Sequence, residues 1–134
     1  MKVFLLAGFA LPLLFVLDFV WVSVFMHGFY RDQLGGLLAV DTLWPVALAF
    51  YMVYALALGY FAVRPALERR SLKVALLLGA FLGLATYIVY DFTNWATLRD
   101  WPWLVAVVDL AWGVVLSAFA AGGSYLMAAK FTKL

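Results

Sequence analysis

Residues 103–127 read WLVAVVDLAWGVVLSAFAAGGSYLM, a run in which Asp109 is the only charged side chain. An α-helix rises about 1.5 Å per residue, so this run is long enough to cross the roughly 30 Å hydrocarbon core of a bilayer. Three similar apolar runs precede it, at about residues 3–26, 42–63 and 72–90. Membrane strands would alternate in polarity over about ten residues, which these runs do not do. The sequence therefore predicts one all-α domain over residues 1–134, an integral membrane four-helix bundle.

The composition of the whole chain agrees with this prediction. Of its 134 residues, 69% are hydrophobic and 12% are charged, and the mean hydropathy is +1.07. A water-soluble globule needs far more polar surface than this. The absence of cysteine excludes disulfides and cysteine-based redox chemistry. The net charge is only +2, and the basic residues sit in short loops and tails, where they orient membrane spans, so we expect no nucleic-acid partner.

The positive charges predict how the bundle is oriented. Seven lysines and arginines flank the two ends and the second loop: Lys2, Arg64, Arg69, Arg70, Lys73, Lys130 and Lys133. The first and third loops carry only Arg31 and Arg99. Segments rich in lysine and arginine stay on the cytoplasmic side, which places both termini in the cytoplasm. Four tryptophans then fall at the outer interface, where this residue is enriched: Trp44, Trp95, Trp101 and Trp103.

Three aspartates lie in or at the end of predicted spans. Asp18 is in the first helix, Asp91 ends the third helix, and Asp109 is in the fourth. An aspartate at the bilayer centre costs about 2.5 to 3.5 kcal/mol, so such residues are candidates for a functional site. By helical rise, Asp18 and Asp109 share a depth of roughly 10 to 14 Å, and Asp91 lies near the outer boundary above them. We expect the three carboxyl groups to converge in the outer half of the bundle.

Aromatic residues accompany these carboxylates in a repeated pattern. Asp18-x-x-Trp21 and Asp109-x-x-Trp112 each place an indole one helical turn from a carboxylate on the same face. A buried indole N–H or phenol O–H needs an acceptor, and a carboxylate in lipid needs donors, so such groups can satisfy one another. The middle helices add two tyrosine pairs, Tyr51-x-x-Tyr54 and Tyr87-x-x-Tyr90.

Small residues at four-residue spacing predict the packing faces. The stripes are Ala47, Tyr51, Ala55 and Gly59 in the second helix, Ala75, Gly79, Gly83 and Tyr87 in the third, and Asp109, Gly113, Ser117 and Ala121 in the fourth. Small side chains let membrane helices approach closely. Since the polar groups share these stripes, they should point inward. We expect a narrow cytoplasmic half and a polar, aromatic centre that opens outward.

These patterns favour an outward-facing intramembrane pocket for a small amphipathic ligand or lipid. Its predicted ligand-binding residues are Asp18, Trp21, Tyr51, Tyr87, Tyr90, Asp91, Asn94, Asp109 and Trp112. A proton-coupled small-molecule transporter acting as a homodimer is an alternative, as is an enzyme that uses Asp18 and Asp109 as acid and base on a lipid substrate. A subunit of a larger assembly, or carboxylates that only fix the pairing of helices, are further alternatives.

Nothing in the sequence predicts a metal or a cofactor. His27 is the only histidine, and helical rise puts it about 13 Å from Asp18. The histidine and cysteine spacings of zinc sites are absent, as are phosphate-binding glycine loops and nucleophile elbows.

Several motifs resemble a known family. They are YDFTNWATL at 90–98, Trp101-Pro102 and VDLAWG at 108–113, together with Asp18-x-x-Trp21, Phe29-Tyr30 and Phe50-Tyr51. In these motifs the chain resembles, over nearly its whole length, the bacterial membrane-protein family catalogued as domain of unknown function 2177. The resemblance implies a four-span protein of the bacterial cytoplasmic (inner) membrane. It supports Asp18, Asp91, Asn94, Asp109 and Trp112 as site residues and implies no activity.

Overall fold

The computed structural model of the protein describes residues 3–132. Within this range the regular elements are all helices. In chain order they are α1 (Val3–Phe25), the short α2 (Phe29–Leu34), α3 (Trp44–Glu68), α4 (Leu72–Thr97) and α5 (Trp103–Thr132). The four long helices are each long and apolar enough to cross a bilayer. The protein is an all-α, four-helix integral membrane bundle, as the sequence predicted.

Three of the long helices extend past the ends that hydropathy predicts. α4 runs on to Thr97, about two turns beyond the predicted end at Tyr90, and Asp91, the first residue past that point, is buried in the bundle. α3 continues from Val63 to Glu68 and α5 from Met127 to Thr132. In α3 the turn Gly59–Val63 is wider than an α-helical turn and directly precedes Pro65. Because proline has no backbone N–H, a widened turn before it lets the helix continue.

Tight connections close one end of the bundle. Between α3 and α4 the chain reverses through Arg70, whose φ of 49° is in the left-handed region, and the Ser71 hydroxyl accepts a hydrogen bond from the Val74 N–H at 3.3 Å. This serine is the N-cap of α4. We call this the terminal end, since residues 3 and 132 lie there too. The opposite end, where α2 and residues 98–102 connect the helices, is the loop end.

The terminal half of the bundle is tightly packed. α4 and α5 form the most extensive contact in the described part of the chain. A methyl group on Gly79 would lie 2.6 Å from the Ser117 carbonyl oxygen and 2.7 Å from the Ala121 Cβ, so only glycine fits there. This places Gly79 against α5, on the face that the small-residue spacing predicts. Buried leucines and alanines from all four long helices complete this core.

The loop half is more open, because α3 diverges from α4 there. The segment Gly59–Val63 of α3 contacts α4, but the part before it packs chiefly along α1. Buried residues of α3 begin only at Ala55. Phe50 and Val53 are 54% and 67% exposed, and Tyr90, across the gap on α4, is 57% exposed. The bundle is thus closed at the terminal end and laterally open between α3 and α4 near the loop end.

Candidate functional site

A cavity of about 880 Å³ occupies the gap between α3 and α4. Most of its wall is apolar, and its polar groups are two carboxyl groups, five tyrosine side chains and one threonine hydroxyl. The lining residues are Leu14, Asp18, Val22, Tyr30, Leu34, Leu38, Phe50, Tyr51, Val53, Tyr54, Ala57, Thr86, Tyr87, Tyr90, Asp109 and Leu116. Asp18 and Asp109 therefore line the same cavity.

Asp18 joins three helices through two hydrogen bonds. The indole Nε1–H of Trp112 on α5 donates to its Oδ1 at 2.9 Å. The hydroxyl of Tyr51 on α3 donates to its Oδ2. Each carboxylate oxygen therefore has a donor from a different helix, which compensates for moving this charge out of water. Asp18 is thus held as a hydrogen-bonded carboxylate at the junction of α1, α3 and α5.

Asp109 reaches α1 through a tyrosine of the first loop. The Trp21 Nε1–H donates to the Tyr30 hydroxyl oxygen at 3.0 Å, and that hydroxyl donates to Asp109 Oδ1 at 3.1 Å. Burial raises the pKa of Tyr30, and the negative charge of Asp109 acts in the same direction. The phenol therefore stays protonated and remains a donor. α2 places this ring back inside the bundle, so the first loop takes part in the site.

In the two Asp-x-x-Trp motifs, each aspartate is connected to the tryptophan of the other helix. The spacing suggested instead that each aspartate pairs with the tryptophan of its own helix. Asp18 takes its indole donor from α5, and the indole of α1 connects to Asp109. The Trp21 and Trp112 rings stack between them, with centroids 4.4 Å apart and planes at 4°. The physical reason is that α1 and α5 are antiparallel. Each aspartate is therefore level with the tryptophan of the other helix, and both carboxylates face the same stack.

Asp91 lies behind the cavity wall and is fully buried. Within residues 3–132, no N–H or O–H donor is hydrogen-bonded to either of its carboxyl oxygens. Because the Tyr87 ring of α4 packs on Gly113 of α5, the next turn of these antiparallel helices brings Asp91 beside Asp109, and the two carboxyl groups act on each other directly. Two carboxylates are both acceptors, so this contact becomes a hydrogen bond only when one proton lies between them. We call Asp91 and Asp109 the carboxyl pair.

The cavity wall therefore contains five of the nine predicted site residues: Asp18, Tyr51, Tyr87, Tyr90 and Asp109. The other four lie behind or beside it. Trp21 and Trp112 form the stack, Asp91 belongs to the carboxyl pair, and Asn94 lies beside the Tyr90 hydroxyl. The Tyr87 ring covers Gly113 of α5, which explains why this position has no side chain.

Four further polar residues belong to this region and were not predicted as site residues. Besides Tyr30, they are Tyr54, Thr86 and Ser117. The hydroxyls of Tyr54 and Ser117 share a hydrogen bond, and Thr86 Oγ1 donates to the Tyr54 hydroxyl at 3.4 Å. The second tyrosine of the Tyr51-x-x-Tyr54 pair and the serine of the α5 stripe were signals for two of them. Tyr30 was marked only by the family motif Phe29-Tyr30, and Thr86 carried no signal.

No lysine, arginine or histidine of residues 3–132 lines the cavity. Among residues 3–132 the salt bridge that forms is the exposed pair Arg64 and Glu68, 3.2 Å apart at the terminal end. In the same range no three histidine, cysteine, aspartate or glutamate side chains are grouped as a metal site would require. The carboxylates at the cavity wall are thus surrounded by neutral donors and aromatic rings.

These features define an integral membrane protein with four helices that can span a bilayer and with an acidic and aromatic cavity between two of them. The chain belongs to the family described as predicted membrane protein DUF2177, which matches residues 2–126. Searches of curated proteins and of solved structures gave no significant match. The family description gives no activity.

Proposed function

We propose that the protein binds a lipid-like amphiphile in the cavity between α3 and α4. The observation that carries this proposal is a mainly apolar cavity, open between two membrane-spanning helices, with carboxyl groups on its wall. Sites for small molecules typically have volumes of about 300 to 1,000 Å³ and few polar groups, and this cavity meets both criteria. The alkyl part of the ligand would lie against Phe50, Val53 and Ala57.

The position of the opening supports entry from the bilayer. Its edges are the exposed side chains of Val53 on α3 and of Thr86 and Tyr90 on α4. All three belong to helices that are long and apolar enough to cross the membrane, so the opening faces lipid tails. A molecule that already partitions into the bilayer can reach the carboxyl groups without crossing water. A ligand without an apolar part would leave this space unfilled.

The polar groups of the cavity support an uncharged or cationic headgroup. Carboxylates attract cations and accept hydrogen bonds from hydroxyls, and tyrosine rings attract cations through their faces. A phosphate or carboxylate headgroup would meet Asp18 and Asp109 without a compensating lysine or arginine on the cavity wall. Burying like charges together is strongly unfavourable, so anionic lipids should be excluded.

We propose further that both termini lie in the cytoplasm of a bacterial cell and that the protein resides in the inner membrane. The asymmetry of seven lysines and arginines against two supports this orientation. The cavity then opens toward the outer leaflet, because it lies near the loop end. The ligand would accordingly be drawn from lipids or amphiphiles of that leaflet.

The proposal can be tested with two photoreactive probes, stearylamine and stearyl alcohol, each carrying a diazirine on the alkyl chain. The full-length protein is placed in phosphatidylcholine nanodiscs, illuminated, digested and mapped by mass spectrometry. We expect labelling of the cavity-facing residues of α3 and α4. Val53→Trp should fill the opening and reduce labelling of α4 several-fold. Met52→Trp is the matched control, because Met52 is adjacent and 57% exposed but does not line the cavity.

The control should label as strongly as the wild type. If both probes labelled lipid-facing positions of all four helices evenly, and if Val53→Trp had no more effect than Met52→Trp, the cavity would not be a binding site. Labelling by either probe alone supports the proposal, since it includes both uncharged and cationic headgroups.

A further inference from the structure

We propose that the carboxyl pair is a proton-exchange site, in which an organic cation entering the cavity replaces the proton held between Asp91 and Asp109. The ligand class is an alkyl ammonium, and the cation is the headgroup of the bound amphiphile. This inference rests on the proposed function and narrows it, because it selects cationic over uncharged ligands and couples their binding to the release of a proton.

The burial of Asp91 favours a proton shared with Asp109. This carboxyl group is 0% exposed, and within residues 3–132 no donor satisfies its oxygens. An isolated carboxylate in such a place would be very costly, and a buried acceptor without a donor is rare in folded proteins. The neighbouring carboxyl group of Asp109 removes both problems when the pair holds one proton. Asp91 can then donate to Asp109, and the pair carries a single negative charge.

The two members of the carboxyl pair differ in their access to the cavity. Asp109 lines the cavity, whereas Asp91 does not. A ligand headgroup in the cavity therefore contacts the pair from the side of Asp109 only. A permanent cation placed there favours a second negative charge on the pair, because opposite charges at short range stabilise the ionised form. The proton is then released to water, and the cation faces two carboxylates.

In the described part of the chain, no positively charged side chain faces the carboxyl pair. The titratable side chains that face it are Asp18 on α1, Tyr30 on α2, and Tyr87 and Tyr90 on α4. Tyr51 on α3 faces Asp18 rather than the pair. Three of these residues are neutral phenols and one is a carboxylate that adds negative charge. The environment therefore offers hydrogen bonds and aromatic faces to a cation but supplies none itself.

The balance of the exchange is simple. Before binding, one carboxylic acid donates to one carboxylate. After binding, two carboxylates face one cation, and one proton has entered the solution. No bond other than the O–H bond is broken, and no oxidant, reductant or co-substrate is needed. Tetrapropylammonium is a suitable probe, because its charge is permanent and it has no acidic proton of its own.

The test is calorimetric titration of the full-length protein in phosphatidylcholine nanodiscs with tetrapropylammonium, in buffers of different ionisation enthalpy. The dependence of the heat on the buffer gives the number of protons released. We expect about one proton per cation for the wild type, since the pair titrates as a unit. Asp91→Asn should bind the cation and release none, because its amide donates permanently to Asp109.

A second measurement on the wild type does not depend on any variant. Infrared difference spectra should show the carbonyl band of a protonated carboxylic acid disappearing when the cation is added. Cation binding without proton release, or an unchanged carbonyl band, would overturn the inference. Stearyl alcohol that labels the cavity while tetrapropylammonium fails to bind would also overturn it, but would leave the proposed function intact.

Discussion

The hydrogen bond between α5 and α1 predicts a coupling energy that can be measured. The relevant atoms are Trp112 Nε1 and Asp18 Oδ1, 2.9 Å apart. In a double-mutant cycle, Trp112→Phe removes the donor and keeps an aromatic ring, and Asp18→Leu removes the acceptor and keeps the approximate shape. The comparison cycle combines Asp18→Leu with Trp21→Phe, the pair that lies one turn apart on the same helix.

The expected magnitude follows from the geometry of this contact. Hydrogen bonds between membrane helices contribute on average about 0.6 kcal/mol and at most about 1.7 kcal/mol in such cycles. This one has an ordinary distance but a carboxylate acceptor, and the negative charge of the acceptor places it toward the upper end. We therefore expect about 1 to 1.7 kcal/mol for the first cycle. The second should stay below about 0.5 kcal/mol, because Trp21 donates to Tyr30 and not to Asp18.

Reversible unfolding in mixed micelles with increasing dodecyl sulfate, followed by circular dichroism, would give the four free energies of each cycle. Loss of the Tyr51 hydrogen bond occurs in every variant that lacks Asp18, so it cancels within a cycle. A larger coupling for Asp18 with Trp21 than with Trp112 would refute the exchange of partners between helices. It would restore the same-helix pairing that the motif spacing suggested.

Two other predictions concern packing and orientation. Gly79→Ala should be less stable than Gly8→Ala by about 1 to 3 kcal/mol in the same unfolding assay. A methyl group at Gly79 meets the α5 backbone, whereas nothing lies within 4 Å of one at Gly8. The helix-propensity gain is common to both variants, so equal stabilities would contradict the close packing. Since the chain has no cysteine, a single introduced cysteine can report on orientation. Asp41→Cys should react with a membrane-impermeant maleimide in intact cells, whereas Glu68→Cys should react only after lysis. The reverse pattern would invert the proposed orientation.

The helices and their main packing face could be predicted from the sequence because both depend on local patterns. Twenty or so apolar residues identify a span wherever its neighbours lie. The spacing of Gly79, Gly83 and Ser117 identifies the faces that approach closely, and the contact between α4 and α5 uses those faces. Helix ends were harder to predict. Hydropathy falls at Asp91, but the helix continues, since a polar residue inside a bundle does not break its backbone hydrogen bonds.

The partners of each carboxyl group could not be predicted in the same way. Helical rise gives the depth of Asp18 and Asp109, but the identity of a donor depends on the rotation and antiparallel match of two helices to within about 1 Å. Tyr30 shows a second limit, because it belongs to a short loop helix whose return into the bundle has no periodic signal. Asp91 shows a third limit of the sequence pattern, since its pairing with Asp109 depends on α4 continuing past the boundary that hydropathy predicts.

The three aspartates therefore have different chemical roles, although each lies in or at the end of a predicted span. Asp18 has a donor on each oxygen and ties α1 to α3 and α5, so its lone pairs are largely committed to the fold. A residue held in this way is poorly suited to accept a proton from a substrate, which weakens a general acid and base mechanism for Asp18 and Asp109. Asp109 has one donor, faces the cavity and adjoins a second carboxyl group. Ligand-dependent chemistry in this protein should therefore depend on Asp109 and Asp91, with Asp18 and the tryptophan stack holding the cavity wall in place.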